Sequence, residues 1–262
     1  MSRRNGVRRA RGSNCADQSR GCCGCCLRDF GGVRLRAADA RGQGAHHADD
    51  DAVPLRRTRS ARVGGVRGER LTSIAEWAAG DWPLRADLLR IEADAYISDA
   101  RAGDRSLPTR CPPWTIDDIT KHVAATFHRY VELLRRSRTG DFRPPFNPED
   151  LAEENLRAVR EFSGDPISSA CEEVARFISL ASDPAEPMIN QRGTIPVGLQ
   201  MCFGINEFAI HHDDVAAASG NSYTPSDEVV GVLSETWHAL TGGETPSSGT
   251  DPWAWILRAS GR

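Results

Sequence analysis

Apolar residues recur at helical spacing only after about residue 71, and the alternation typical of strands is nearly absent there. Amphipathic helices of this kind must bury their apolar stripes against one another. We therefore predict an all-α fold, an up-and-down-type four-helix bundle with long crossover connections. The predicted helical segments are Leu84–Ala95, Thr115 to about Arg138, 149–182 with a break at Gly164–Pro166, Pro196–Ala218, Asp227–Leu240 and a short Trp253–Leu257.

Residues 1–70 differ in composition from the rest of the chain. They hold 16 arginines against 7 acidic residues, and 11 of the 24 glycines. A segment with so few periodic apolar residues cannot offset its ordering entropy by burial. We predict a disordered basic leader over 1–70 and one helical domain over 71–262. The leader is either a poorly structured extension or sequence upstream of the true start of translation.

Two functional readings of the leader stay open as alternatives. Its five cysteines are close enough to share a zinc ion, but no second C-x-x-C pair lies at finger-like distance. Its arginines suit a nucleic-acid arm, yet Phe30 is its one aromatic residue before Trp77. We therefore do not expect nucleic acid as a partner. The clustered cysteines are Cys15, Cys22, Cys23, Cys25 and Cys26.

Cysteine usage and hydropathy indicate the compartment. Cys111, Cys171 and Cys202 are isolated, which fits a reducing compartment and not a disulfide framework. The longest apolar runs are only a few residues, so we expect no membrane span. Residues 1–30 lack the apolar core of a signal peptide. We expect a cytoplasmic protein whose oligomeric state the sequence does not indicate.

The apolar pattern of the second predicted helix places one histidine near its buried face. His122 lies at the edge of the apolar stripe, next to the groove between helices, whereas His128 points to the opposite side. A lone histidine at such an edge is most often a hydrogen-bonded core residue, and a ligand role is the alternative. The stripe consists of Ile116, Ile119, Val123, Phe127, Tyr130 and Leu134.

The helix from Pro196 to Ala218 carries a line of polar residues inside an apolar surface. Glu207 and His211 are four residues apart, and Asp214 follows one turn later. Burying a carboxylate there is costly unless a cation meets it. The line is either an internal ion pair, a solvated face, or half of a metal site completed by a histidine from another helix. Two histidines and one carboxylate would leave a zinc ion an open fourth position.

Two stretches at these residues resemble a known family. Residues 107–122 (LPTRCPPWTIDDITKH) and 206–215 (NEFAIHHDDV) are similar to the metal-binding domain of the mycothiol-dependent maleylpyruvate isomerase family, a DinB-like four-helix bundle. The ending 253–262 also resembles many short members, so the likeness covers about 75–262. The resemblance implies zinc held by His122, Glu207 and His211. It also gives Asp214 the role of orienting His211 or the helix end, with a surface cap or ion pair as the alternative.

The resemblance also implies a chemistry, with limits. It implies a zinc enzyme that uses mycothiol for thiol transfer or thiol-assisted isomerisation of a small electrophile. Pro113 and the His212–Asp213 pair depart from the family pattern, and the chain is too short for the isomerase's second domain, so we do not carry over maleylpyruvate as substrate. The alternatives are a non-catalytic metal-binding bundle, acting as sensor or interaction module, and a hydrolase using zinc-bound water. We expect His212 to lie outside the ligand set.

Overall fold

The computed structural model describes residues 80–241 and 246–262. The predicted leader over 1–70, its five cysteines included, lies outside the described residues. Most of the described chain is helical, which confirms the predicted all-α class. The helices are α1 (Trp82–Ala102), α2 (Ile116–Arg138), α3 (Leu151–Glu161), α4 (Pro166–Leu180), α5 (Val197–Ala218), α6 (Asp227–Thr241) and α7 (Pro252–Ala259), with a 3-10 turn at Pro148–Asp150 before α3.

Four of these helices form the bundle. Helices α1 and α2 each pack against both α4 and α5, while α1 and α2 barely contact each other. The two helices α1 and α2 therefore occupy diagonal corners of the bundle, and α5 touches both. Helix α3 packs on α2, and α6 and α7 pack on each other beside α5. Among the described helices, none is long and apolar enough to cross a bilayer.

Local sequence fixes where the bundle helices begin. Thr115 and Asp118 form a capping box, because the Thr115 side chain accepts from the Asp118 amide and Asp118 accepts from the Thr115 amide. Asp165 caps α4 in the same way through the Ser168 amide, and Pro166 suits the first turn. The predicted break at Gly164–Pro166 is thereby confirmed.

A two-stranded hairpin interrupts the connection to α5. The predicted helices leave this connection out and the sequence shows almost no strand alternation, but Pro187–Asn190 pairs antiparallel with Gly193–Pro196. Its apolar side chains Met188, Ile189 and Ile195 are buried, and the Ile189 amide donates to Ser137 Oγ at 2.8 Å. Packing against α2 therefore forms these strands. Four residues bounded by proline are too few to show strand alternation in the sequence.

An aromatic cluster fills the centre of the bundle. The Phe127 ring contacts those of Tyr130, Phe177 and Phe208, with centroids 5.1–6.0 Å apart. Gly204 of α5 faces this ring, and a Cβ there would lie 3.0 Å from Phe127 Cζ. The absence of a side chain at Gly204 lets α5 approach α2 closely, one turn before Glu207.

Candidate metal centre

Three side chains converge in the interface between α2 and α5. His122 comes from α2, and Glu207 and His211 come from consecutive turns of α5. Nε2 of each histidine lies 3.5 Å from Oε2 of Glu207. All three residues are buried, and one ligand atom from each lies within 4.8 Å of the others. The structure therefore brings together the three residues that the sequence analysis selected.

The separations can be compared with the geometry of a bound ion. Zinc holds nitrogen and carboxylate oxygen ligands at about 2.0–2.2 Å in a tetrahedron, so two such donors lie about 3.4 Å apart. The two 3.5 Å separations between histidine Nε2 and Glu207 Oε2 are close to that edge length. The donor set of two imidazoles and one carboxylate fits zinc and similar divalent ions.

Burial and mutual contacts set the charges of the cluster. Burial alone would raise the pKa of Glu207, but hydrogen bonds from His122 and His211 outweigh it and hold the pKa well below its ordinary value. Burial lowers the pKa of His122, with Glu207 opposing it only in part. Glu207 is therefore ionised and His122 neutral at pH 7, which are the protonation states that a divalent ion requires.

Asp214 lies on the far side of the His211 ring. Its Oδ2 is 3.2 Å from His211 Nδ1, and the carboxylate is fully buried. This contact leaves His211 Nε2 directed at Glu207, as a hydrogen-bonded carboxylate does for many metal-binding histidines. Burial lowers the pKa of His211, but Asp214 and Glu207 more than reverse that effect and raise it. Asp214 therefore contacts the ring nitrogen of His211 that faces away from Glu207, and its orienting role stays a prediction.

One aromatic residue contacts the centre, and the other two histidines of α2 and α5 lie outside it. The Trp114 ring lies 4.9 Å from that of His122 and closes one side of it. His128 points away, as the helical wheel predicted, and pairs with Glu173 at 3.1 Å on the surface. His212 lies outside the cluster: its Nε2 is 2.9 Å from Asp99 Oδ2, and its ring stacks on Tyr223.

The amino-acid sequence matches a family model described as the mycothiol maleylpyruvate isomerase N-terminal domain, over residues 86–216. The chain belongs to this family. The matched range contains His122, Glu207, His211 and Asp214, and it ends within α5. The predicted membership is thereby confirmed.

Two solved structures match the chain at low identity. A crystal structure of the mycothiol-dependent maleylpyruvate isomerase is 19% identical, with a TM-score of 0.48, over 60% of this chain and 69% of that one. A crystal structure of a mutant of the mycothiol-dependent maleylpyruvate isomerase is 18% identical, with the same TM-score and coverage. No curated protein matches the chain at a significant level.

Two residues beside the centre were not predicted to be there. The sequence analysis left Cys111 unassigned beyond an isolated thiol, yet its Sγ lies 3.7 Å from Asp214 Oδ2. Arg262 was not singled out, yet its guanidinium donates to both Cys111 and Asp214. Asp214 follows Cys111 in the sequence by 103 positions, and Arg262 follows it by 151. No periodic pattern in the sequence predicts contacts between residues so far apart.

A surface groove runs along α2 and is lined in part by His128. It has a volume of about 380 Å³ and lies between α2 and α3. Ala125 and Arg129, which line it, follow His122 by one and two helical turns. Its rim carries both guanidinium and carboxylate groups, and the Arg129 side chain lies over the Phe146 ring.

Proposed function

We propose that this chain is a cytoplasmic zinc-dependent enzyme that uses a low-molecular-weight thiol, mycothiol, for thiol transfer or thiol-assisted isomerisation of a small electrophile. The observation that carries the proposal is the pair of 3.5 Å separations between the two histidine Nε2 atoms and Glu207 Oε2. Family membership supports the choice of thiol. Among the described residues, Cys111, Cys171 and Cys202 form no disulfide, which supports a reducing compartment.

The residues present fit a catalytic zinc ion. When bound, zinc supplies a positive charge that stabilises a thiolate at neutral pH and leaves a fourth position for it. His122, Glu207 and His211 would hold the ion, and Asp214 keeps the His211 ring oriented. Trp114 and the apolar core exclude water from one side of the three ligands. In thiol transfer a carbon–sulfur bond would form as the leaving group of the electrophile departs. In thiol-assisted isomerisation the same bond would form and then break again, so that the thiol is released unchanged.

We propose that the groove between α2 and α3 holds the body of the thiol. It starts one turn from His122, and its arginine side chains suit carboxylate-bearing molecules. Ala125 is half-buried on its wall. Filling the groove through Ala125→Phe should weaken binding of mycothiol at least tenfold while leaving the metal content unchanged, because Ala125 is none of the three ligands.

The metal content of the purified full-length chain tests the centre. We expect one zinc equivalent per chain that His122→Ala removes. His128→Ala is the matched control, since it deletes an exposed histidine from the same helix and should keep the ion. The comparison between these two variants cancels any zinc that the cysteines outside the described residues bind. Equal zinc in both variants would contradict the proposal.

Binding of mycothiol separates the enzyme from a non-catalytic bundle. A ligand at one hundred times its Kd stabilises the native state by about 2.7 kcal/mol. For a domain of this size that is a rise in Tm of about 5–11 °C. The zinc-loaded protein should show this rise, and His122→Ala should not. No rise at millimolar mycothiol would favour the sensor or interaction module, or a hydrolase that needs no thiol.

A further inference from the structure

A second cluster of ligand-type side chains lies on the other side of His211. It consists of Cys111, His211 and Asp214, and one donor atom of each lies within 4.8 Å of the others. Cys111 Sγ is 3.7 Å and His211 Nδ1 is 3.2 Å from the same atom, Asp214 Oδ2. All three side chains are buried. Sulfur, nitrogen and oxygen donors at such separations suit zinc, cobalt or cadmium.

The guanidinium of Arg262 already stands among these donors. Its Nη1 lies 2.6 Å from Cys111 Sγ, and its Nη2 lies 2.7 Å from Asp214 Oδ2. The Arg262 side chain is only 6% exposed, so this charge is held inside the protein. A fixed cation therefore sits where a metal ion bound to Cys111 and Asp214 would sit.

The carboxylate of Asp214 has spare capacity for a further cation. Among the described residues its Oδ1 accepts no hydrogen bond, although it is completely buried. Arg110 Nε, 3.5 Å away, is near enough only for an ion pair. A buried carboxylate oxygen without a hydrogen bond is costly and is usually met by an ion or water.

We propose that Cys111, His211 and Asp214 form a second cation site, and that the guanidinium of Arg262 fills it in place of a metal ion. His211 serves the two sites with different atoms, Nε2 toward Glu207 and Nδ1 toward Asp214. Metal binding at the second site would release the thiol proton of Cys111 and the Nδ1 proton of His211 to solvent. Arg262 would thereby leave the described part of the chain with one ion, held by His122, Glu207 and His211.

Removing the guanidinium tests the proposal. Full-length Arg262→Ala protein, titrated with cadmium chloride, should develop the ultraviolet charge-transfer band of a cadmium–thiolate bond. The band is read as the difference between Arg262→Ala and Arg262→Ala/Cys111→Ser, because the other seven cysteines contribute equally to both. Wild type minus Cys111→Ser should give no such band. Arg258→Ala is the matched control, since it deletes an exposed arginine of α7, four residues before Arg262, and should behave as wild type.

The test does not depend on the proposed enzyme function. In His122→Ala/Arg262→Ala protein the first site lacks a ligand, yet the Cys111-dependent band should persist. No band in folded Arg262→Ala, or an equal band in wild type, would overturn the proposal. If Arg262→Ala unfolds, cadmium should restore its circular dichroism, because the ion replaces the lost charge. A variant that stays unfolded with cadmium also counts against the proposal.

Discussion

Adding one methyl group at Gly204 should loosen the contact between α5 and its neighbours. In Gly204→Ala the new Cβ would lie 3.0 Å and 3.3 Å from Cζ and Cε1 of Phe127, and 3.4 Å from Cδ1 of Leu89. The Phe127 ring cannot turn away, because it is fully buried and already packs against three other aromatic rings. The helices must therefore move apart by a few tenths of an ångström.

Two opposing terms set the size of the effect. Overpacking a filled core costs about 1–3 kcal/mol, and the locked ring puts Gly204→Ala in the upper half of that range. Alanine is favoured over glycine inside a helix by about 1 kcal/mol. We therefore expect a net loss of about 1–2 kcal/mol in the free energy of unfolding, which is a fall in Tm of about 2–8 °C.

Urea unfolding of the metal-free protein, kept in chelator, measures this loss without any contribution from a bound ion. Gly231→Ala is the matched control, since Gly231 is also inside a helix but has open space around its Cβ position. That variant should gain up to about 1 kcal/mol. If Gly204→Ala is as stable as Gly231→Ala, the core around Phe127 has room to spare and the argument from close packing is refuted.

Three further predictions follow from the helix caps and the buried ionisable groups. Asp214 and Glu207 raise the pKa of His211 despite its burial. Zinc affinity, measured against a chromophoric chelator, should therefore still rise with pH above about 6.5, because zinc competes with the proton on His211. Asp214→Asn should move this rise to lower pH, and an unchanged pH profile would contradict the prediction. Thr115→Ala should cost about 0.5–2 kcal/mol in urea unfolding, because it removes the side-chain cap of α2. Burial raises the pKa of Cys202 from 9.0 to about 11. The thiol of Cys202 therefore leaves the free energy of unfolding unchanged below pH 9 and lowers it as the pH rises from 9 toward 11, because the unfolded chain loses the thiol proton first. In Cys202→Ala the free energy of unfolding should fall less steeply over this pH range than in wild type.

The residues of the candidate centre could be predicted because helical periodicity fixes the direction of a side chain. Periodicity placed His122 at the edge of one apolar stripe and Glu207 with His211 inside another, and the family resemblance implied that the three form one ligand set. In the structure they meet between α2 and α5. The start of α2 was equally legible, since Thr115 and Asp118 act on each other across a single turn. Helical faces and helix caps depend on residues a few positions apart, so they can be predicted from the sequence alone.

The contacts that could not be predicted depend on tertiary packing. The strands 187–190 and 193–196 are too short to show alternation, and burial against α2 decides their conformation. The position of Arg262 beside Cys111 and Asp214 depends on how α7 packs, and neither composition nor spacing reports that. Asp99 and His212, on α1 and α5, meet for the same reason.

The position of the candidate centre between α2 and α5 has a consequence for the biosynthesis of the protein. His122 reaches its partners only across the α2–α5 interface, and α5 is the last of the four bundle helices to be made. A nascent chain whose residues up to His211 have not yet all left the ribosome has only His122 of the two candidate histidine ligands. It also lacks the interface between α2 and α5 in which the three side chains meet. An ion held by these three side chains would therefore bind only after the bundle closes, and it would then tie an early helix to a late one.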